Sequence, residues 1–176
     1  VPMDEAGSLA LNIWTPAKTG DEKMPVMVWI FGGGFQEGYS HEMEFDGEAM
    51  NRRGVILVSI PYRLNVFGFL CHPDLTKEDP EHPANFGLLD QQAGLKWVIR
   101  NIAAFGGDPD NITIAGQSAG GGSVLNHRTA KSSIGLYQRA SILSGIISFP
   151  YIKDFVMIPR TADDACSYGV KFFAQL

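Results

Sequence analysis

Cysteine is scarce in this chain: two among 176 residues, Cys71 and Cys166, far apart in sequence. That count excludes the dense disulfide framework of small secreted domains, and no Cys/His spacing suits a metal site. Both thiols are expected to be free, buried or half-buried small hydrophobes. Positive charge is also thin, with 14 Lys and Arg against 19 Asp and Glu, and the longest basic cluster is Arg52-Arg53. A nucleic-acid partner is excluded, because no basic patch exists to meet phosphates. No apolar run approaches the roughly 18–20 residues of a membrane span. No leader is visible, and the chain begins with Val1 rather than Met, as a processed, trimmed or partial chain would. The compartment is not fixed by the sequence; with neither leader nor disulfide framework, the cytoplasm is favoured. Repeats, low-complexity tracts and linkers are absent too, so residues 1–176 are expected to lie in one domain. No cofactor is expected.

What is present is ordinary globular material, 45% hydrophobic and 19% charged, enough for a real core. Strand-type runs occur at 9–14, 24–30, 54–60, 111–115 and 140–143, several of them apolar throughout. Between them, apolar residues at 88, 95, 98, 99, 102 and 105 follow the helical period. A short helix is expected around 48–51, another from Ser118 to about His127, and a last one over 162–176. The proline-rich stretch 71–85 reads as a surface loop. Alternating strands and helices predict an α/β fold with a mainly parallel sheet and helices on both faces.

Two motifs carry chemistry. Asn111-Ile112-Thr113-Ile114-Ala115 runs into Gly116-Gln117-Ser118-Ala119-Gly120 and then a helix-capable segment. This is the strand–turn–helix setting of a G-x-S-x-G nucleophile elbow, with Ser118 the candidate nucleophile. A serine hydroxyl is a weak nucleophile unless a tight turn exposes it beside a base. Earlier, Met27-Val28-Trp29-Ile30 empties into Phe31-Gly32-Gly33-Gly34-Phe35. Glycines after a strand leave backbone N–H groups unshielded, and acyl transfer needs such donors where negative charge grows on the carbonyl oxygen. The amide after the nucleophile, Ala119, is the other donor in elbow sites. The glycines at 120–122 read as close packing of helix against sheet.

Along residues 9–145 the chain resembles the type-B carboxylesterases, the α/β-hydrolase family of cholinesterases and several lipases. The matching residues include Leu11-Asn12-Ile13-Trp14-Thr15-Pro16, the glycine loop, Tyr62-Arg63-Leu64-Asn65-Val66-Phe67-Gly68-Phe69-Leu70, Asn85-Phe86-Gly87-Leu88-Leu89-Asp90-Gln91, Asn101 through Pro109, and the elbow. The resemblance implies the N-terminal part of an α/β-hydrolase domain. It also implies a small-molecule ester substrate and a Ser118 acyl-enzyme. Gly33, Gly34 and Ala119 would be the oxyanion amides, and Arg63 and Asp90 a bracing ion pair. Four departures stand out. Gln117 replaces an acidic residue. Phe31 opens the glycine loop in place of His, and with Phe35 is either core or acyl-pocket lining. Glu5-Ala6-Gly7-Ser8 lacks the usual cysteine and hence its disulfide. Residues 126–131 are unusually polar for the continuation of the nucleophile helix.

A base and an acid should follow in the order Ser, Asp/Glu, His. After Ser118 the only histidine is His127, on the same helix and about 13 Å along it at 1.5 Å per residue. His41, His72 and His82 precede the serine, His41 alone being kept as a candidate base because it follows the glycine loop, and Asp154, Asp163 and Asp164 have no histidine after them. The chain is therefore expected to lack the triad acid and histidine and to be inert as an isolated segment. The rival reading is a catalytically dead binding or adhesion module of the same fold. Strand 139–143 should present an unpaired edge and favour self-association.

Overall fold

The computed structural model describes residues 5–43, 46–145 and 161–175. Five strands form one sheet: β1 (Asn12–Trp14), β2 (Met24–Ile30), β3 (Ile56–Ile60), β4 (Gly107–Gln117) and β5 (Arg139–Leu143). Their order is β1-β3-β2-β4-β5; β1 runs antiparallel to β3 and every other pair is parallel. The helices are α1 (Glu5–Ser8), α2 (Glu48–Asn51), α3 (Asn65–Phe69), α4 (Pro73–Glu78), α5 (Phe86–Asn101), α6 (Ala119–Thr129) and α7 (Ala162–Phe173). The expected α/β class holds, with a mostly parallel sheet flanked by helices.

The sheet is the core. Val26, Val28, Ile30, Ile56, Val58, Ile60, Ile112 and Ile114 are all buried, and Leu95, Val98 and Ile102 pack onto them. Removing each such side chain from water contributes about 1.5–3 kcal/mol. These strands are apolar on both faces, as parallel strands covered by helices must be. Their register places the two chemical motifs: Ile30, the last residue of β2, lies opposite Gly116 of β4, and Gly116 lies opposite Ile142 of β5. The glycine loop and the serine turn therefore leave the same end of neighbouring parallel strands, where α/β sheets hold their ligands.

Several boundaries differ from the sequence reading. The proline-rich stretch 71–85 contains α4, with Pro73 in its first turn and the His72 side chain accepting a hydrogen bond from the Asp74 N–H at 3.2 Å. β4 starts at Gly107, earlier than the apolar run suggested, and pairs there with Met24. The cysteines are not free thiols. Cys71 and Cys166 form a disulfide that ties the segment between α3 and α4 to α7. The expectation of a disulfide-free cytoplasmic chain is thereby overturned, because such bonds persist in oxidising compartments. Among the described residues no helix is long and apolar enough to cross a membrane. Asp154 lies outside the described residues.

Candidate active site

Ser118 occupies the turn between β4 and α6 with φ 56° and ψ −122°. A non-glycine residue reaches that region at a cost of order 1–3 kcal/mol, tolerated only where neighbours over-determine it. Here the restraints are visible. The Ser118 N–H donates to the Leu143 carbonyl at 3.0 Å, and the Ser118 carbonyl accepts from the Gly122 N–H at 2.9 Å. A Cβ on Gly120 would meet the Ile30 and Phe31 carbonyls, and one on Gly116 would lie 2.7 Å from the Ile30 carbonyl oxygen. The turn is thus wedged against the end of β2 by backbone contact. Ser118 is half-buried, and its neighbour Gln117 is exposed.

The glycine loop meets this turn directly. A Cβ on Gly32 would fall 2.8 Å from the Gln117 carbonyl oxygen and 3.2 Å from the Ser118 Cβ. Gly33 and Gly34 follow at φ 92° and 63°, conformations that side chains rarely adopt. The Gly33 carbonyl closes the loop by accepting from the Gln36 and Glu37 N–H groups at 3.0 and 3.1 Å. Both glycines are exposed, whereas Ala119 is buried at the start of α6. So Ser118, Ala119 and the glycine loop converge at one end of the sheet. Phe31, left open between core and pocket, is core: it is 2% exposed and stacks on Tyr62 with ring centroids 4.5 Å apart. The Tyr62 hydroxyl donates to the Phe31 carbonyl at 2.8 Å, and burial pushes its pKa up. Phe35 is half-buried against Phe69.

Arg63 and Asp90 form a two-pronged pair beneath the loops. Arg63 Nε donates to Asp90 Oδ2 at 2.8 Å and Nη2 to Oδ1 at 2.9 Å, while the Arg63 N–H also reaches Oδ2 at 2.9 Å. Such fork geometry fixes both side chains. His41 is exposed, its ring 4.6 Å from that of Tyr39.

His127 requires a correction. From sequence the chain is expected to lack the triad histidine for Ser118 and to be inert as an isolated segment. In the structure His127 Nδ1 lies 3.0 Å from Ser133 Oγ, and Nε2 lies 2.9 Å from Gln91 Oε1. The chain does hold a hydrogen-bonded Ser–His pair, so an absent histidine is no ground for inertness. The pair is enclosed, with His127 2% and Ser133 1% exposed. Desolvation lowers the imidazole pKa to about 4, so it is neutral at pH 7. Sequence inspection missed the pairing because Ser133 lies in a polar run that also reads as plain surface.

Two central parallel strands that open side by side onto a strained serine turn place the chain among the α/β-hydrolases. It belongs to the Carboxylesterase family, whose profile matches residues 3–163. It is 41% identical over 143 residues to the fumonisin B1 esterase of Sphingopyxis macrogoltabida, covering 81% of this chain and 26% of that protein. It is 46% identical over 144 residues to the cholinesterase of Mus musculus, again over 81% of this chain and 23% of that protein. Among solved structures, a carboxylesterase of Geobacillus stearothermophilus is 50% identical at a TM-score of 0.71, over 75% of this chain and 28% of that one. A PNB esterase is 38% identical at a TM-score of 0.82, over 99% of this chain and 34% of that one. The chain thus spans about a quarter to a third of these relatives.

Proposed function

We propose that this chain carries the reactive serine and oxyanion donors of a carboxylic ester hydrolase, within one larger α/β-hydrolase domain. The observation that supports it most is the backbone contact between Gly32 and the Gln117–Ser118 turn. It sets unshielded loop amides beside a strained, half-buried serine. Ser118 Oγ attacks the ester carbonyl, the oxygen that gains charge is met by the N–H groups of Gly33, Gly34 and Ala119, and the bond to the alcohol oxygen then breaks, leaving the acyl group on Ser118 and the serine proton on the departing alcohol. Removing one such donor ordinarily costs about 10²–10³ in kcat. The kinship with esterases supports a small-molecule ester as substrate.

A second reading comes from the Ser133–His127 pair, since a serine bonded to a neutral imidazole is the arrangement that activates a nucleophile. Its near-complete burial weighs against it, because a substrate must reach the attacking oxygen. A fluorophosphonate probe decides between the two. Labelling of the full-length protein is expected at Ser118 by peptide mass mapping, and Ser118→Ala should abolish it along with p-nitrophenyl acetate hydrolysis. Labelling at Ser133, undiminished in Ser118→Ala, would overturn the assignment. Absence of any label would favour the binding-module reading. Self-association through β5, the strand at one edge of the sheet among the described residues, is a further proposal. Sedimentation velocity across a hundredfold concentration range tests it, and a constant sedimentation coefficient would dismiss it.

A further inference from the structure

Five polar side chains run unbroken through the packed interior, and none has a part in the Ser118 chemistry proposed above. Gln92 Nε2 donates to Ser133 Oγ at 3.1 Å, and also to Ser132 Oγ at 2.7 Å. Ser133 Oγ is 3.0 Å from His127 Nδ1, and His127 Nε2 is 2.9 Å from Gln91 Oε1. Gln91 Nε2 donates to Ser123 Oγ at 3.1 Å, and Ser123 Oγ donates to the Ala119 carbonyl at 3.1 Å. The directions are forced. Gln91 Oε1 can only accept, so His127 carries its proton on Nε2. Nδ1 is then an acceptor, and the Ser133 hydroxyl must donate to it. Every donor therefore points the same way, from Gln92 toward Ala119. Gln91, Ser123, His127 and Ser133 are 0–2% exposed and Gln92 is 7% exposed.

The chain ends on the residue next to Ser118, where α6 is intrinsically weakest. Its opening turn is Ala119-Gly120-Gly121-Gly122. Gly120 and Gly121 are imposed by contact: a Cβ on Gly120 would strike the Ile30 carbonyl, and one on Gly121 would lie 2.9 Å from Gly145 Cα. Glycine in a helix costs about 1 kcal/mol relative to alanine. Serine back-bonding to the i−4 carbonyl is common in helices and by itself marks nothing. Here the same hydroxyl also accepts from Gln91 of α5, so the Ala119 carbonyl is tied to a neighbouring helix as well as to its own.

The geometry points to Ser123, Gln91 and His127 as positioning residues that hold the Ala119 carbonyl and, across the Ala119 Cα, the adjoining Ser118–Ala119 peptide whose N–H is the oxyanion donor, in register for ester hydrolysis. This rests on the reading of Ser118 as nucleophile. The network touches no substrate. It acts by limiting the excursions of the Ala119–Gly120 peptide plane, and through the shared Ala119 Cα those of the donor plane before it, and misplacing a catalytic donor by about 1 Å can cost on the order of a hundredfold in rate.

The test uses the full-length protein, with active sites counted by the fluorophosphonate burst so that unfolded material does not enter kcat. Ser123→Ala is expected to lower kcat per titrated site at least tenfold, with KM within twofold. It should weaken inhibition by a trifluoromethyl ketone, whose adduct carries an oxyanion, by the same factor as kcat/KM. Gln91→Glu, which removes the donor to Ser123, should move the same two quantities in the same direction. Should Ser123→Ala not fold, Ser123→Cys keeps the volume, gives up most of the donor strength and is expected to lose threefold or more. A purely structural network would lower the melting temperature and the titratable fraction while leaving kcat per site and ketone affinity unchanged, and that result overturns the proposal. If Ser118→Ala keeps full activity, the nucleophile assignment itself has failed, which is a separate outcome.

Discussion

At the scale of single residues, the site depends on positions where a side chain is absent. Gly33 sits at φ 92°, and a Cβ there would run into the Glu37 carbonyl. Gly34 is at φ 63° with open space around its missing Cβ. Gly33→Ala must therefore rearrange the loop, whereas Gly34→Ala meets only the backbone preference of about 1–2 kcal/mol. We expect Gly33→Ala to cut kcat/KM for p-nitrophenyl acetate at least a hundredfold, and Gly34→Ala to cut it distinctly less; equal losses would contradict this account of the loop. His127 gives a second prediction at this scale. Its folded pKa of about 4 lies below the ordinary 6.5, so between those values the unfolded chain binds more protons. Stability from this group is fully present above about pH 6.5 and is lost as pH falls toward 4. The loss is on the order of 3 kcal/mol. Urea unfolding at several pH values should show that slope, and His127→Gln should flatten it.

At the scale of elements, strands and caps decide the outcome. Arg63 and Asp90 join the segment after β3 to α5 by three hydrogen bonds. Asp90→Ala would leave a half-buried guanidinium without its carboxylate, at a cost of about 3 kcal/mol. The check is the urea midpoint, and a change under 0.5 kcal/mol would show that solvent fully replaces the pair. Apolar strands such as β2 and β3, and α5 with its helical period, were legible because burial imposes a pattern on sequence. α4 was not, since Pro73 signals a loop as readily as a first helical turn. α3 was hidden by its five-residue length and by Asn65 at φ 54°. Ser118 stood out through its flanking glycines and the strand before it. The Ser133–His127–Gln91 contacts left no local mark, because they join three segments that only the packed fold brings together.

At the scale of the whole molecule, the disulfide is the long-range constraint that the sequence concealed: two cysteines allow one pairing, but their spacing says nothing of whether they meet. It closes a loop of 95 residues between Cys71 and Cys166. Chain-entropy reasoning assigns a loop of that length about 4–5 kcal/mol, with typical measured values of 2–4. Cys71→Ser is expected to lower the melting temperature by several degrees, and a reductant should do the same to the parent protein but not to the variant. Identical melting with and without reductant would show the bridge to be energetically idle. A different consequence follows from the seam between Gly32 and Gln117. Because main chain meets main chain there, the reactive groups keep their mutual alignment whatever side chains grow on the surrounding loops. Selection can therefore reshape the surrounding cleft without retuning how the serine turn and the glycine loop sit against each other.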